Sequence, residues 1–139
     1  MAGDITITVD SAEVQRAIEK LKNWGGKKER EVEQVVNDTA LAVNTGARRN
    51  LYINRSVITN RLRSSVHIEN QKSQRYMYSN FHGESFDGTL GYRVPKLAAI
   101  VGTNVEYALS VERRKPFLRP AAEVQREPYK QKMIAILRK

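Results

Sequence analysis

Val32, Val35, Val36, Thr39, Ala40, Val43, Ala47 and Leu51 recur at spacings of three and four, and this pattern limits the fold more than any other feature of the chain. A period near 3.6 puts all of them on one helical face, so the spacing predicts a helix from about Lys28 to Leu51, roughly six turns long. Glu29, Arg30, Glu31, Glu33 and Asp38 lie mostly on the remaining faces. Acidic residues near its start and Arg48-Arg49 near its end suit the helix dipole. The buried stripe is rich in Ala and Val, so a neighbouring helix or sheet can approach closely.

The other segments are shorter. Ile5-Thr6-Ile7-Thr8-Val9 alternates with period two and reads as a strand. Asp10 or Ser11 can cap a helix carrying Val14, Ala17, Ile18 and Leu21, which Trp24-Gly25-Gly26 stops. Val57 to Ser65 reads as a loop or turn leading into a strand. Val66-His67-Ile68 and Tyr76-Met77-Tyr78 read as strands, with His67 facing solvent opposite two core residues. Residues 79–91 hold three glycines and two Phe, a flexible-loop signature. Leu97 to Gly102 reads as a buried strand, and Asn104 to Val111 as one or two helical turns. Pro116 to Pro120 reads as a rigid elbow before a helix over Ala121 to Leu137, which Pro128 interrupts or restarts. The expected class is α+β: a small antiparallel sheet packed against a long helix, with N-terminal and C-terminal helices. A length of 139 residues fits a single domain, with 79–95 as a loop insertion and 113–139 as a basic elbow and helix.

Charge adds information through its distribution. The net +9 divides into −2 over residues 1–47, +6 over 48–75, −2 over 76–112 and +7 over 113–139. Alternating blocks of this kind suit a polyanion or an acidic protein surface, or serve only as solvated faces. No apolar run approaches the roughly 20 residues of a bilayer span, and Met1 to Ile7 lacks the pattern of a secretory leader. The absence of Cys removes disulfides, thiol catalysis and thiolate metal sites.

Catalytic patterns are missing too. There is no nucleophile elbow, P-loop, dinucleotide fingerprint or zinc-helix motif. His82, Ser85 and Asp87 share one loop, but residues so close in sequence seldom form a triad. Glu31 and Glu33 point in different directions on the helix. Glu106 and Glu112 read as structural caps. No enzyme activity, cofactor or metal is expected. Arg48, Arg49, Arg55, Arg61 and Arg63, with Tyr52 nearby, form a charged surface suited to carboxylate or phosphate. No helix-turn-helix, RNP pair or KH loop accompanies them, so base reading has no support.

Three segments resemble the tail-completion, or head–tail joining, proteins of long-tailed bacteriophages. The long Ala/Val-rich helix is followed by Thr59-Asn60-Arg61-Leu62-Arg63-Ser64-Ser65-Val66, with Asn60 where the family usually has Gly. An apolar strand runs into Tyr107-Ala108-Leu109-Ser110-Val111-Glu112. Pro116-Phe117-Leu118-Arg119-Pro120-Ala121 precedes the final helix and is the most specific of the three. Arg113-Arg114 stands where the family usually has Gly-Thr. The resemblance implies a structural virion subunit of the neck, assembling as a hexameric or dodecameric ring between portal and tail tube. Its partners would be copies of itself and neighbouring connector, tail-terminator or tail-tube proteins, with DNA passing through and no membrane. It would act in the host cytoplasm during assembly and then in the virion. The expected interface residues are Arg61, Arg63, Tyr107, Glu112, Arg113, Arg114, Phe117, Leu118 and Arg119. Phe117 and Leu118 read either as an anchor in a neighbour's pocket or, for Phe117, as the lid of its own core; Arg119 reads as a partner of Glu112 or of the next subunit. A small basic nucleic-acid-binding protein is the alternative, and a hydrolase using Ser85 a distant third.

Overall fold

A computed structural model describes the backbone of residues 5–8, Arg16, and residues 26–54 and 60–138. The order is β1 (Ile5–Thr8), α1 (Gly26–Ile53), α2 (Arg61–Ser65), β2 (His67–Asn70), β3 (Met77–Ser79), β4 (Ser85–Asp87), β5 (Ala99–Thr103), α3 (Ala108–Arg114) and α4 (Leu118–Leu137). The fold is α+β, with an antiparallel sheet against a long helix. Arg16 is helical, while the remainder of the expected first helix, Val14 to Leu21, lies outside the described residues, as does 55–59.

The α1 helix buries Val32, Val36, Thr39, Ala40, Val43, Ala47 and Leu51, the stripe set by its period. Along it runs α4 in the opposite direction. Lys28 Nζ near the start of α1 donates to the Ile136 carbonyl at 2.9 Å, and Asn50 Nδ2 near its end donates to the Phe117 carbonyl at 3.0 Å. Gly46 lets the two backbones approach, since a Cβ there would sit 3.2 Å from that of Ala121. Pro128 lies within a continuous α4 and neither ends nor restarts it. Its missing N–H falls on an exposed part of the helix, where water can satisfy the freed carbonyl.

The three-stranded sheet has the order β1-β5-β2, antiparallel throughout, with Thr6 opposite Gly102 and Ile68 opposite Val101. All of β5 is buried because both faces are covered. Ala99 and Val101 join the main core under the helices, while Ile100 joins Leu90, Val94 and Ala98 in a second, smaller cluster. The second cluster corrects the expectation of one flexible loop over 79–95. Residues 77–87 form a hairpin, β3 against β4, and residues 88–98 return across the outer face of the sheet. The expectation for His67 is corrected as well. Its alternation does place it away from the helices, but there it meets protein rather than solvent, and it is 2% exposed.

The short α2 helix replaces the loop expected before β2. Asn60 precedes it at φ 66, the left-handed conformation that Asn tolerates better than most residues, and donates from Nδ2 to Ser64 Oγ at 2.7 Å. Ser65 Oγ bonds the Leu62 carbonyl and Thr103 Oγ1, both at 2.6 Å, tying this turn to β5.

Candidate interaction surface

The Pro116–Ala121 motif folds as a clamped elbow. Glu112, near the end of α3, accepts hydrogen bonds from the backbone N–H groups of Phe117, Leu118 and Arg119 at 2.8, 3.0 and 2.9 Å. The first N–H groups of a helix lack intrahelical partners and carry partial positive charge. One carboxylate from the preceding helix therefore satisfies the first two of them in α4, with that of the N-cap Phe117, and fixes the angle between the helices. Glu112 is thus a cap, as read, although for the helix that follows its own. Phe117 and Leu118 sit in the core of the same chain. Of the two readings of Phe117 this is the lid of its own core, and for Leu118 it corrects the expected exposed anchor: the apolar half of the motif faces inward because Pro116 and the clamp turn it there. Arg119 uses its backbone for Glu112 and its side chain for Glu123, at 3.4 Å.

Arg61 also has an internal role. It forms a two-pronged pair with Glu106 at 2.8 and 3.0 Å, and its guanidinium lies 4.4 Å from the Phe86 ring centroid and 5.9 Å from that of Tyr107. It thereby links α2 to the hairpin and to the turn before α3. Arg61's hydrogen bonds hold the Glu106 carboxyl below the usual carboxylate range. The folded state thus takes up this proton less readily than the unfolded chain. The contribution is present above the ordinary carboxylate range and is lost as pH falls through the lowered value. Glu106→Gln is expected to lower stability by about 0.5–1 kcal/mol at pH 7, an exposed pair being heavily screened. In urea titrations the gap from wild type should narrow once the pH falls below the ordinary carboxylate range.

Exposed cations gather at one pole, around the elbow. The end of α1 packs on the elbow: Lys115 Nζ donates to the Asn54 carbonyl at 3.1 Å, and Asn54 Nδ2 donates to the Pro116 carbonyl at 3.2 Å. Arg63 lies 5.9 Å from the Tyr52 ring centroid. These contacts set the end of α1 beside the elbow, whose exposed cations from the +7 block are Arg113, Arg114, Lys115 and Arg119; exposed Arg63, from the +6 block, lies by Tyr52 on another side of α1. Among the described residues, no carboxylate forms an ion pair with Arg49, Arg63, Arg113 or Arg114. Tyr52 and Ile53 add apolar surface and are at least 63% exposed. Of the expected interface residues, Arg113, Arg114 and Arg119 are exposed around the elbow, and Arg63 is exposed beside Tyr52. Tyr107 is partly exposed beside Arg61, and Glu112, Phe117 and Leu118 hold the elbow beneath.

Sequence reasoning placed Tyr52 beside the arginines but missed the exposed Ile53 and the contact of Lys115 with the end of α1, although their apolar and basic character was visible. It also missed the buried pair of His67 and Glu69. No hydrogen bond among the described residues joins the side chains of His82, Ser85 and Asp87. A cleft of about 310 Å³ lies between the start of α1 and the end of β2, bridged by ion pairs of Glu29 with Lys96 and Glu33 with Lys72. Among the described residues, no three His, Asp or Glu are placed to share a metal, and no helix is long and apolar enough to cross a membrane. The chain matches no protein-family model, no curated protein and no solved structure.

Proposed function

We propose that this chain is a structural protein of the neck of a long-tailed phage, a subunit of a ring that joins or completes the tail. The clamped elbow carries the proposal. In Pro116-Phe117-Leu118-Arg119-Pro120-Ala121, the segment most like the tail-completion proteins, the apolar residues stabilise the subunit while neighbouring cations are displayed at the pole. A ring subunit needs both: a rigid body and a charged surface that sets the register of its neighbours. The ring surrounds DNA in transit, so tight binding to its lumen would oppose ejection, and the cations serve protein contacts. Neighbouring connector, tail-terminator and tail-tube proteins are the partners. The function needs neither a cofactor nor catalysis.

A small basic nucleic-acid-binding protein is the second reading, favoured by arginines clustered around Tyr52. Mass measurement and negative-stain imaging of the purified protein, with and without tail tubes, separate the two. A neck subunit gives closed rings that cap tubes. A monomer that ignores tubes and binds duplex DNA, with affinity falling steeply as salt rises, overturns the neck reading.

A further inference from the structure

The structure leaves two complementary surfaces at separate places on the subunit. One is the pole at the elbow, where four cations, Arg113, Arg114, Lys115 and Arg119, outnumber the carboxylates Glu112 and Glu123. Glu112 is already committed to three N–H groups. Ile53 is exposed at the end of α1 that packs on the elbow. The other surface is the β3–β4 hairpin. Its inner residues Tyr78 and Phe86 stack on each other with ring centroids 5.3 Å apart, and Arg61 covers Phe86. The opposite face, through Met77, Ser79, Ser85 and Asp87, is exposed, and so is Phe81 at the tip.

Residues 76–92 contain two carboxylates, Glu84 and Asp87, and no Lys or Arg. The hydroxyl and backbone N–H of Thr89 hold the Asp87 carboxyl below its ordinary range, so it is charged at neutral pH. Asn80 Oδ1 accepts from the N–H groups of His82 and Glu84 at 2.9 and 3.1 Å, giving the tip a defined turn. Arg75 lies close enough to Asp87 to help hold its carboxyl down, so exposed Glu84 is the negative charge that the hairpin tip offers, beside the apolar Phe81 and opposite to the sign of the pole.

We propose that neighbouring copies associate head to tail, the β3–β4 hairpin of one subunit seated on the Arg113–Arg114 pole of the next. The contact rests on the ring reading and specifies its bond. A two-fold dimer centred on the pole would put cation against cation and is disfavoured. A heterologous contact leaves one free surface on every added subunit, so growth continues until the ring closes.

The test uses Arg113→Glu with Arg114→Glu as the pole variant, and Phe81→Ser with Glu84→Lys as the hairpin variant. All four side chains are exposed, and the single substitutions Arg114→Glu and Glu84→Lys provide a second pair should either double variant lose its helical circular dichroism. Mass photometry is the readout. Wild type should form rings, and each variant alone should associate at least tenfold more weakly. An equimolar mixture should give a one-to-one heterodimer and nothing larger, because each variant retains one intact surface. Variants that assemble like wild type, or a mixture that gives no heterodimer, overturn the contact while leaving the ring. Loss of duplex binding by a pole variant that still forms rings also overturns it, assigning the pole to nucleic acid. A wild type that stays monomeric with and without tail tubes removes the ring reading itself.

Discussion

Phe117→Ala is expected to cost about 3–5 kcal/mol of folding stability, the usual cost of emptying a large buried aromatic site. Phe117 is fully buried, in one cluster with Leu51, Ala47, Leu118 and Ala121, where the two long helices meet. Both its backbone groups are engaged, the N–H by Glu112 and the carbonyl by Asn50. The surroundings are therefore pinned and cannot collapse into the cavity. For a chain of this size, that loss lowers the melting temperature by roughly 10–20 °C. Phe117→Leu, which retains much of the volume, should cost about a third as much. Thermal and urea melts of the two variants decide the matter. A Phe117→Ala protein that melts with wild type but fails to assemble would return Phe117 to an intermolecular role.

The fate of Phe117 shows where the sequence stopped being legible. Positions on α1 were readable because one period ran through six turns, and burial followed that period. Asn60 was readable from its residue type, since few other side chains accept φ 66. Period-two reasoning failed at His67. It identified the correct face of the strand but took that face to be open, whereas Tyr76 stacks on the imidazole and Leu90 reaches its partner Glu69. Nothing in the strand itself announces a cover supplied by these later segments. The pole was hidden for a similar reason. The elbow that displays its cations lies more than sixty residues after the end of α1, and the two meet because α4 runs antiparallel to α1 and the elbow docks on Asn50 and Asn54. The sharp division of the elbow motif into a buried half and a displayed half likewise depends on Glu112, a contact outside the motif.

Removing the carboxylate of Glu69 has the second large effect. His67 Nδ1 lies 2.7 Å from the Ser65 carbonyl, which can only accept, so Nδ1 carries a hydrogen. His67 Nε2 lies 2.6 Å from Glu69 Oε2, a pair that needs one proton between them whichever atom owns it. The same oxygen accepts the Leu90 N–H at 2.8 Å. Tyr76 stacks on the imidazole with ring centroids 4.0 Å apart, donates from its hydroxyl to the Ser64 carbonyl, and accepts from Arg48 Nη2. Glutamine cannot replace Glu69 fully. An amide oxygen at this place accepts from Leu90 but faces a bare Nε2, while an amide nitrogen serves Nε2 and opposes the Leu90 N–H. Glu69→Gln is therefore expected to cost about 1–3 kcal/mol, the range for one unsatisfied buried group. Glu69→Leu abandons both partners and should cost about 3–5 kcal/mol. Replacing both members, as in His67→Phe with Glu69→Leu, should restore part of that loss, because no imidazole is left unpaired. Local effects should be sharper than the global one. With Leu90 released, amide exchange should accelerate over 88–98 first, before the fold as a whole fails. A Glu69→Leu protein with wild-type melting and a protected Leu90 amide would show that the return segment is held by its apolar contacts alone.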